Sequence, residues 1–241
     1  MGILYIVSTP IGNLQDITLR AATTLLSVPY IITESTSKTA NLLEFVRNNL
    51  SNTPGVKEAY TPGVRKNNQK IISFSEDEED EKLPYIIKLL EENDAALVSE
   101  AGTPLISDPG FKLVREAVNR GITVVSIPGA TAPIAALTSS GLPTDKFFFA
   151  GYLPKKEGKR TELLKKLKEF KQDIGSTLIF FESPHRLVGS LNTIQQVFGD
   201  IDIVITRELT KIHEEVWRGK ISNCPVTLKG EMVLLFNIPL R

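Results

Sequence analysis

Short apolar runs alternate with longer amphipathic segments along this chain, and few architectures other than a layered α/β fold accommodate that order. The runs predict strands over Ile3–Ser8, Tyr30–Thr33, Lys70–Phe74, Ala95–Val98, Thr123–Ser126, Phe147–Ala150, Thr177–Phe181, Ile203–Thr206, Glu214–Gly219 and Met232–Ile238. The segments between them predict helices over Thr18–Ser27, Thr39–Asn48, Lys82–Glu92, Phe111–Arg120, Ala132–Ser139, Gly158–Lys171 and His185–Val197. Up to about Gly121 strand and helix alternate as in a parallel wound sheet, whereas the strand-rich last third predicts a mixed sheet. A chain of 241 residues holds one large or two modest domains. The division is expected near Ser126, giving an N-terminal domain over 1–125 and a C-terminal domain over 126–241, with Ile127-Pro128-Gly129 as the hinge.

The most informative loop is Ser99-Glu100-Ala101-Gly102-Thr103-Pro104-Leu105-Ile106-Ser107-Asp108-Pro109-Gly110, between the strand ending at Val98 and the helix starting near Phe111. Such a stretch leaves backbone groups and small side chains exposed at the carboxyl edge of a sheet, where open α/β sheets hold ligands. Ser8–Leu14, Ile127–Pro133, Phe180–Arg186 and Thr206–Lys211 share its profile of apolar strand followed by tight turn. Together they predict a cleft for a small buried ligand, lined from both halves. None of these turns is a phosphate-binding P-loop, and no G-x-G-x-x-G follows the first strand, so mononucleotide kinase and NAD-dehydrogenase readings fail. Neither His185 nor His213 stands in a hydrolase elbow pattern.

Charge narrows the partners. The 28 basic and 28 acidic residues cancel, so any nucleic-acid contact must be local. One local candidate lies between Gly151 and Lys171, where eight basic side chains face three acidic ones. Lys155, Lys156, Lys159 and Arg160 follow an apolar strand and turn there, which suits phosphate contacts. The acidic run Glu76–Glu81 reads instead as a solvated loop feeding the positive end of a helix. Cys224 is the single cysteine, which precludes an intramolecular disulfide and fits a reducing compartment. With two histidines besides, no metal site is expected. The N-terminus lacks a basic region before its first apolar run, and no run approaches the ~20 residues of a membrane span, so the expectation is a cytoplasmic protein without membrane contact.

Five segments resemble one family, in the same order: Tyr5–Leu19 (YIVSTPIGNLQDITL), the Ala-Gly-Thr-Pro…Ser-Asp-Pro-Gly loop, Ser140–Asp145, Glu182-Ser183-Pro184-His185-Arg186 and Arg207-Glu208-Leu209-Thr210-Lys211. The family is ribosomal RNA small subunit methyltransferase I, which methylates a cytidine 2′-hydroxyl of 16S rRNA and belongs to the tetrapyrrole (corrin/porphyrin) methylase superfamily. The resemblance covers essentially the whole chain. It implies a two-domain α/β fold with a mixed sheet in each domain, S-adenosylmethionine in the interdomain cleft, and a homodimer acting on 16S rRNA within the small ribosomal subunit. Carried onto this chain, the cofactor should touch Pro10, then Ala101, Gly102, Thr103, Pro104 and Ile106. It should also meet Ala130, Thr131, Phe181, Leu209 and Met232.

The chain departs from the family at four places. Glu34-Ser35-Thr36-Ser37 stands where relatives read Glu-Asp-Thr-Arg, Phe74-Ser75-Glu76-Asp77 stands where they carry a His/Glu-bearing segment, Glu100 replaces an Asp, and many relatives extend beyond the position of Arg241. A ribose 2′-hydroxyl is a weak nucleophile near neutral pH, so a positioned proton acceptor is expected. The candidates are Glu34, Glu100, His185, Glu208 and Lys211, the last only if burial depresses its pKa. Arg186 and Arg207 suit phosphate through a bidentate fork. Two alternatives stay open: a methylase of a small tetrapyrrole-like substrate, and a non-catalytic ribosome-assembly factor that binds cofactor and rRNA.

Overall fold

Strands buried on both faces read as continuous apolar runs, and the inner strands of the first sheet approach that pattern while its two edge strands are partly exposed. The five strands are β1 (Ile3–Val7), β2 (Tyr30–Thr33), β3 (Lys70–Ser73), β4 (Ala95–Val98) and β5 (Thr123–Ile127). The sheet order is β3-β2-β4-β1-β5 and every pairing is parallel. Between the strands run α1 (Leu19–Ser27), α2 (Thr36–Leu50), α3 (Glu79–Leu90) and α4 (Phe111–Asn119). Successive strand residues feed opposite layers. Val7, Ile31, Ala96 and Val98 pack under Leu25, Leu43 and Val46 of α1 and α2. Leu4, Ile6, Ile32 and Leu97 pack under Ile86, Leu90 and Leu113 of α3 and α4. Helix starts follow side-chain caps: Thr18 accepts the amide of Ala21, and Ser35 accepts that of Lys38.

The computed structural model describes residues 1–57, 69–172, 175–225 and 229–238. It divides into two units, Met1–Thr131 and Ala132–Arg241. Ser126 and Ile127 belong to β5, so the division comes after Thr131 and not at Ser126. The second unit holds α5 (Ala132–Ser140), β6 (Phe147–Tyr152), α6 (Glu157–Gln172), β7 (Ser176–Glu182), α7 (Pro184–Phe198), β8 (Asp202–Arg207), β9 (Glu215–Lys220) and β10 (Met232–Ile238). Its sheet runs β6-β7-β10-β8-β9, with β6 parallel to β7 and the other pairings antiparallel. The mixed sheet implied for both domains is thus found in the second only. No helix among the described residues is long and apolar enough to cross a membrane.

The acidic run behaves differently from its composition. Glu79, inside the acidic run, is 6% exposed. Its carboxylate accepts the Gly110 amide at 3.1 Å and lies 3.5 Å from the Lys112 ammonium, which ties α3 to the start of α4. The run is therefore a partly buried anchor and not only a solvated loop.

Candidate active site

The chain leaves β1 toward the layer of α1 and leaves the adjacent β4 toward the layer of α4. Where neighbouring parallel strands send their connections to opposite faces, a crevice opens at their carboxyl ends. The loops after β1 and β4 are fastened together at that point. The Thr9 amide donates to the Gly102 carbonyl at 2.8 Å and the Gly102 amide to the Thr9 carbonyl at 3.1 Å. Ser8 and Thr103 hydroxyls lie 2.9 Å apart, and Thr103 donates to the Ala130 carbonyl at 3.1 Å, which joins the loop after β5. Pro10, Ala101, Gly102, Thr103, Pro104 and Ala130 are thereby brought into one cradle, with Thr131 adjoining it in the chain. Pro10, Gly102 and Pro104 are buried.

Gly102 has φ +84, and a Cβ there would meet Ile11 Cγ2 at 3.2 Å and the Ala130 carbonyl at 3.7 Å. Only glycine leaves this floor open. Further along the loop, Leu105 (φ 74) and Ser107 (φ 69) hold left-handed conformations without being glycine. Each costs on the order of 1–2 kcal/mol, and such strain concentrates where a loop must present something. Here it lifts Ile106, 40% exposed, between the two strained residues.

Carboxylates gather beside the cradle, on the loops after β2 and β4. Burial raises the pKa of Glu34, and Asp108, Glu100 and Glu76 add to the effect while Lys38 opposes it. Asp108 is pushed up to about 6 from 3.8, by burial first and with a contribution from Glu100, against a lowering hydrogen bond from Ser99. Its Ser-Asp-Pro-Gly setting was visible in the sequence, but nothing in that setting reports how much water the carboxyl loses. Glu100, on the loop after β4, is ion-paired with Lys38 in the first turn of α2. Lys38 thus gives this turn a charge pair even though Ser35 and Ser37 stand where the family carries Asp and Arg. The Ser35 and Ser37 hydroxyls lie 3.3 Å apart.

The other expected proton acceptors serve the framework. The Glu208 carboxylate accepts the Glu231 amide at 2.9 Å and faces the Lys211 ammonium at 3.1 Å. The Glu231 amide, then Lys211, hold the Glu208 pKa below its ordinary value. Burial pulls the Lys211 ammonium down, but Glu231 and Glu208 outweigh it and the net shift is upward. Lys211 therefore stays protonated and is no base. His185 is exposed near the start of α7.

In the second unit, Phe181 and Leu209 share one face of the sheet, and Met232 is buried on the other. Phe181 and Leu209 pack on the cluster of Ile179, Val204 and Val233, whereas Met232 packs with Phe180, Ile205 and Leu234. Glu208 (φ 49) and Thr210 (φ 66) flank Leu209 as Leu105 and Ser107 flank Ile106.

The expected phosphate contacts separate into three groups. Lys155, Lys156 and Lys159 are exposed. Arg160 is 7% exposed and turned inward. It donates to Thr193 Oγ1 at 2.8 Å and to the Pro154 and Lys155 carbonyls at 3.4 and 3.3 Å. It is corrected from a surface contact to an internal brace. Arg207 is engaged with Glu215 at 2.5 Å across β8 and β9. Arg186 donates to the Leu153 carbonyl and lies 3.6 Å from Glu182. The Lys171 side chain lies outside the described residues.

The lining fits S-adenosylmethionine. Around Gly102 it is small and uncharged, as an adenine and an aliphatic methylene stem require, and the carboxylates beside it suit a sulfonium. Among the described residues, no group of three or more metal-ligating side chains occurs.

Comparison with known proteins agrees with this geometry. The family model of the Tetrapyrrole (Corrin/Porphyrin) Methylases matches residues 3–225. A Thermotoga maritima protein named ribosomal RNA small subunit methyltransferase I is 41% identical over 223 residues, covering 92% of this chain and 90% of its own. Proteins of the same name from Mesorhizobium japonicum and Haemophilus influenzae are 44% and 41% identical, covering 96% and 97% of this chain and 74% and 78% of theirs. Among solved structures, the methyltransferase CobJ superposes with TM-score 0.67 at 14% identity, covering 98% of this chain and 95% of that one. The uroporphyrin-III-C-methyltransferase of Thermus thermophilus superposes with TM-score 0.60 at 17% identity, covering 98% and 94%. These two establish the fold alone, whereas the family model and the sequence relatives reach further: the chain belongs to the tetrapyrrole methylases and, within them, to the ribosomal RNA small subunit methyltransferase I family.

Proposed function

We propose that this chain transfers the methyl group of S-adenosylmethionine to the 2′-hydroxyl of a cytidine ribose in the decoding centre of 16S rRNA, acting on the small ribosomal subunit as a homodimer. The observation that carries the reading is the near-full-length similarity to proteins named for that substrate class. The cradle at Gly102 supplies the local chemistry.

When bound, S-adenosylmethionine supplies a methyl carbon made electrophilic by a positively charged sulfur. The fastened loops of Thr9, Gly102 and Ala130 would hold it and keep water out. Alignment of nucleophile and methyl carbon is the larger part of such catalysis. Glu34 is the proton acceptor best prepared by its surroundings, because burial and the neighbouring Asp108 and Glu100 raise its affinity for a proton. The proton of the 2′-hydroxyl would come to rest on the Glu34 carboxylate. Asp108 beside it keeps the local field negative.

The deciding experiment incubates the purified chain with methyl-labelled S-adenosylmethionine and small ribosomal subunits that lack the modification. Nuclease digestion and mass spectrometry should find the label on one 2′-O-methylcytidine. Label that enters a porphyrinoid and not the subunit would select the tetrapyrrole alternative. Cofactor bound without any transfer would select the assembly factor. The departures at Ser35, Ser37 and Glu100 are what favours a factor without turnover, and the Lys38–Glu100 pair offsets them by restoring opposite charges there.

A further inference from the structure

Strand β6 forms one edge of the second sheet and contains an irregularity that redirects one aromatic ring. Phe149 stands opposite Ile179 and Tyr152 opposite Phe181, so β6 spends one more residue than β7 over this interval. The extra residue is accommodated by Gly151 at φ 64. Without this bulge Tyr152 and Phe149 would point to opposite faces. With it, both rings flank Phe181, at centroid distances of 5.6 and 4.9 Å.

Tyr152 is nevertheless 52% exposed. The Arg186 guanidinium lies over its ring, 5.4 Å from the centroid. That guanidinium is held by the Leu153 carbonyl and by Glu182 at 3.6 Å. Glu182 is 2% exposed and is itself fixed by the Ser183 amide at 2.9 Å and the Ser190 hydroxyl. A buried carboxylate thus pre-sets an arginine beside an accessible ring. Lys155 and Lys156 follow on the next turn, exposed and in no ion pair among the described residues.

We infer that this corner is a subsite for an unstacked RNA nucleotide, with its base on Tyr152 and its phosphate against Arg186, Lys155 and Lys156. The inference rests on the rRNA reading above and names the surface that would grip the strand. An aromatic face with adjacent cations is what single-stranded nucleic acid requires. The adenine of S-adenosylmethionine could also stack on a ring, but that molecule has no phosphate and its sulfonium would be repelled by three cations. The charge therefore favours the polyanion. An arginine already anchored loses little freedom on binding.

The test uses the full chain and a single-stranded oligocytidylate RNA, with affinity read by fluorescence anisotropy across a range of salt. Tyr152→Leu should weaken RNA binding roughly ten- to a hundredfold and leave its salt slope unchanged, because stacking releases no counterions. Tyr152→Phe, which keeps the ring, should restore the binding. Lys155→Gln with Lys156→Gln should instead flatten the salt slope by about 1.4, roughly 0.7 for each lost single-strand phosphate contact. Calorimetry should find S-adenosylmethionine affinity equal in all of them. A parent that binds RNA while Tyr152→Leu binds it equally well overturns the subsite and leaves the substrate reading intact. A parent that binds no oligocytidylate overturns the subsite, and the subunit-labelling experiment decides the substrate reading separately. Loss of cofactor affinity in Tyr152→Leu assigns the ring to adenine, and a halved mass in solution with RNA binding intact assigns it to a second copy. Either result refutes the inference.

Discussion

Replacing Gly102 by alanine tests the cradle with one methyl group. The backbone there is left-handed, at φ +84, which costs an alanine roughly 1–2 kcal/mol. The new Cβ would stand 3.2 Å from Ile11 Cγ2, closer than ordinary contact, and Ile11 is only 7% exposed and cannot swing into water. Overpacking of this kind adds up to ~1 kcal/mol at the low end of its range, for a total of about 2 kcal/mol. In a unit of this size that lowers the melting temperature by roughly 8 °C. The methyl would also stand at the proposed cofactor floor, and the paired Thr9–Gly102 hydrogen bonds would carry any displacement into both loops. Calorimetry should therefore find S-adenosylmethionine binding weakened at least about tenfold, which corresponds to ~1.4 kcal/mol. Gly55→Ala is the control: its φ is +87 but nothing lies within 4 Å of the added methyl. It should show the backbone cost alone and bind cofactor like the parent. Equal melting and equal cofactor affinity in Gly102→Ala and the parent would refute the cradle.

Asp108→Asn should change how stability depends on pH. The folded carboxyl, at about 6, holds its proton more tightly than the unfolded one at 3.8, so its contribution is complete in acid and is lost as pH rises from about 4 through about 6. Urea titrations should show the variant matching the parent near pH 4 and gaining on it above pH 6; a constant offset would contradict the assignment. Arg160→Met should destabilise the second unit by about 1–3 kcal/mol, since Thr193 and two carbonyls lose their donor, while the salt slope of RNA binding stays that of the parent. A flattened slope would return Arg160 to the surface patch. Glu34→Gln should lower methyl transfer to small subunits without changing cofactor affinity, and full activity at neutral pH would remove Glu34 as proton acceptor.

The strands were legible because burial on both faces leaves a mark of its own: Tyr30–Thr33, Ala95–Val98 and Met232–Ile238 are apolar but for Thr33 and Asn237 and have the expected bounds. Helix α2 begins three residues before the expected Thr39, because Thr36-Ser37-Lys38 has no apolar residue and only the Ser35 cap marks the start. Charged residues that turn inward were not legible. Arg160 finds Thr193, and Glu79 finds the Gly110 amide, through folding that brings distant segments together. Composition reports only that the neighbouring residues are charged. For the same reason the raised proton affinity of Asp108 escaped the sequence, whereas the glycine and prolines of its loop marked it as a long turn at the carboxyl ends of the strands. The bulge at Gly151 leaves no signature in FFFAGY beyond the glycine itself.

The order of the first sheet also governs how this protein must be born. Strand β1 leaves the ribosome before the rest of its sheet and has no partner in β2 or β3, the two strands that follow it. Ile6 waits for Leu97, and Ile3 waits for Thr123. At bacterial-scale synthesis rates of ~10 residues per second, that interval is on the order of ten seconds. Throughout it Leu4 and Val7, which end fully buried, remain without the strands that will cover their backbone edges. Closing so long a loop is slow as well as late. The strand pair that forms the cradle is therefore completed only when most of the N-terminal unit has been made, and a truncated chain ending before β4 would expose an unpaired apolar edge and lack the Thr9–Gly102 pairing.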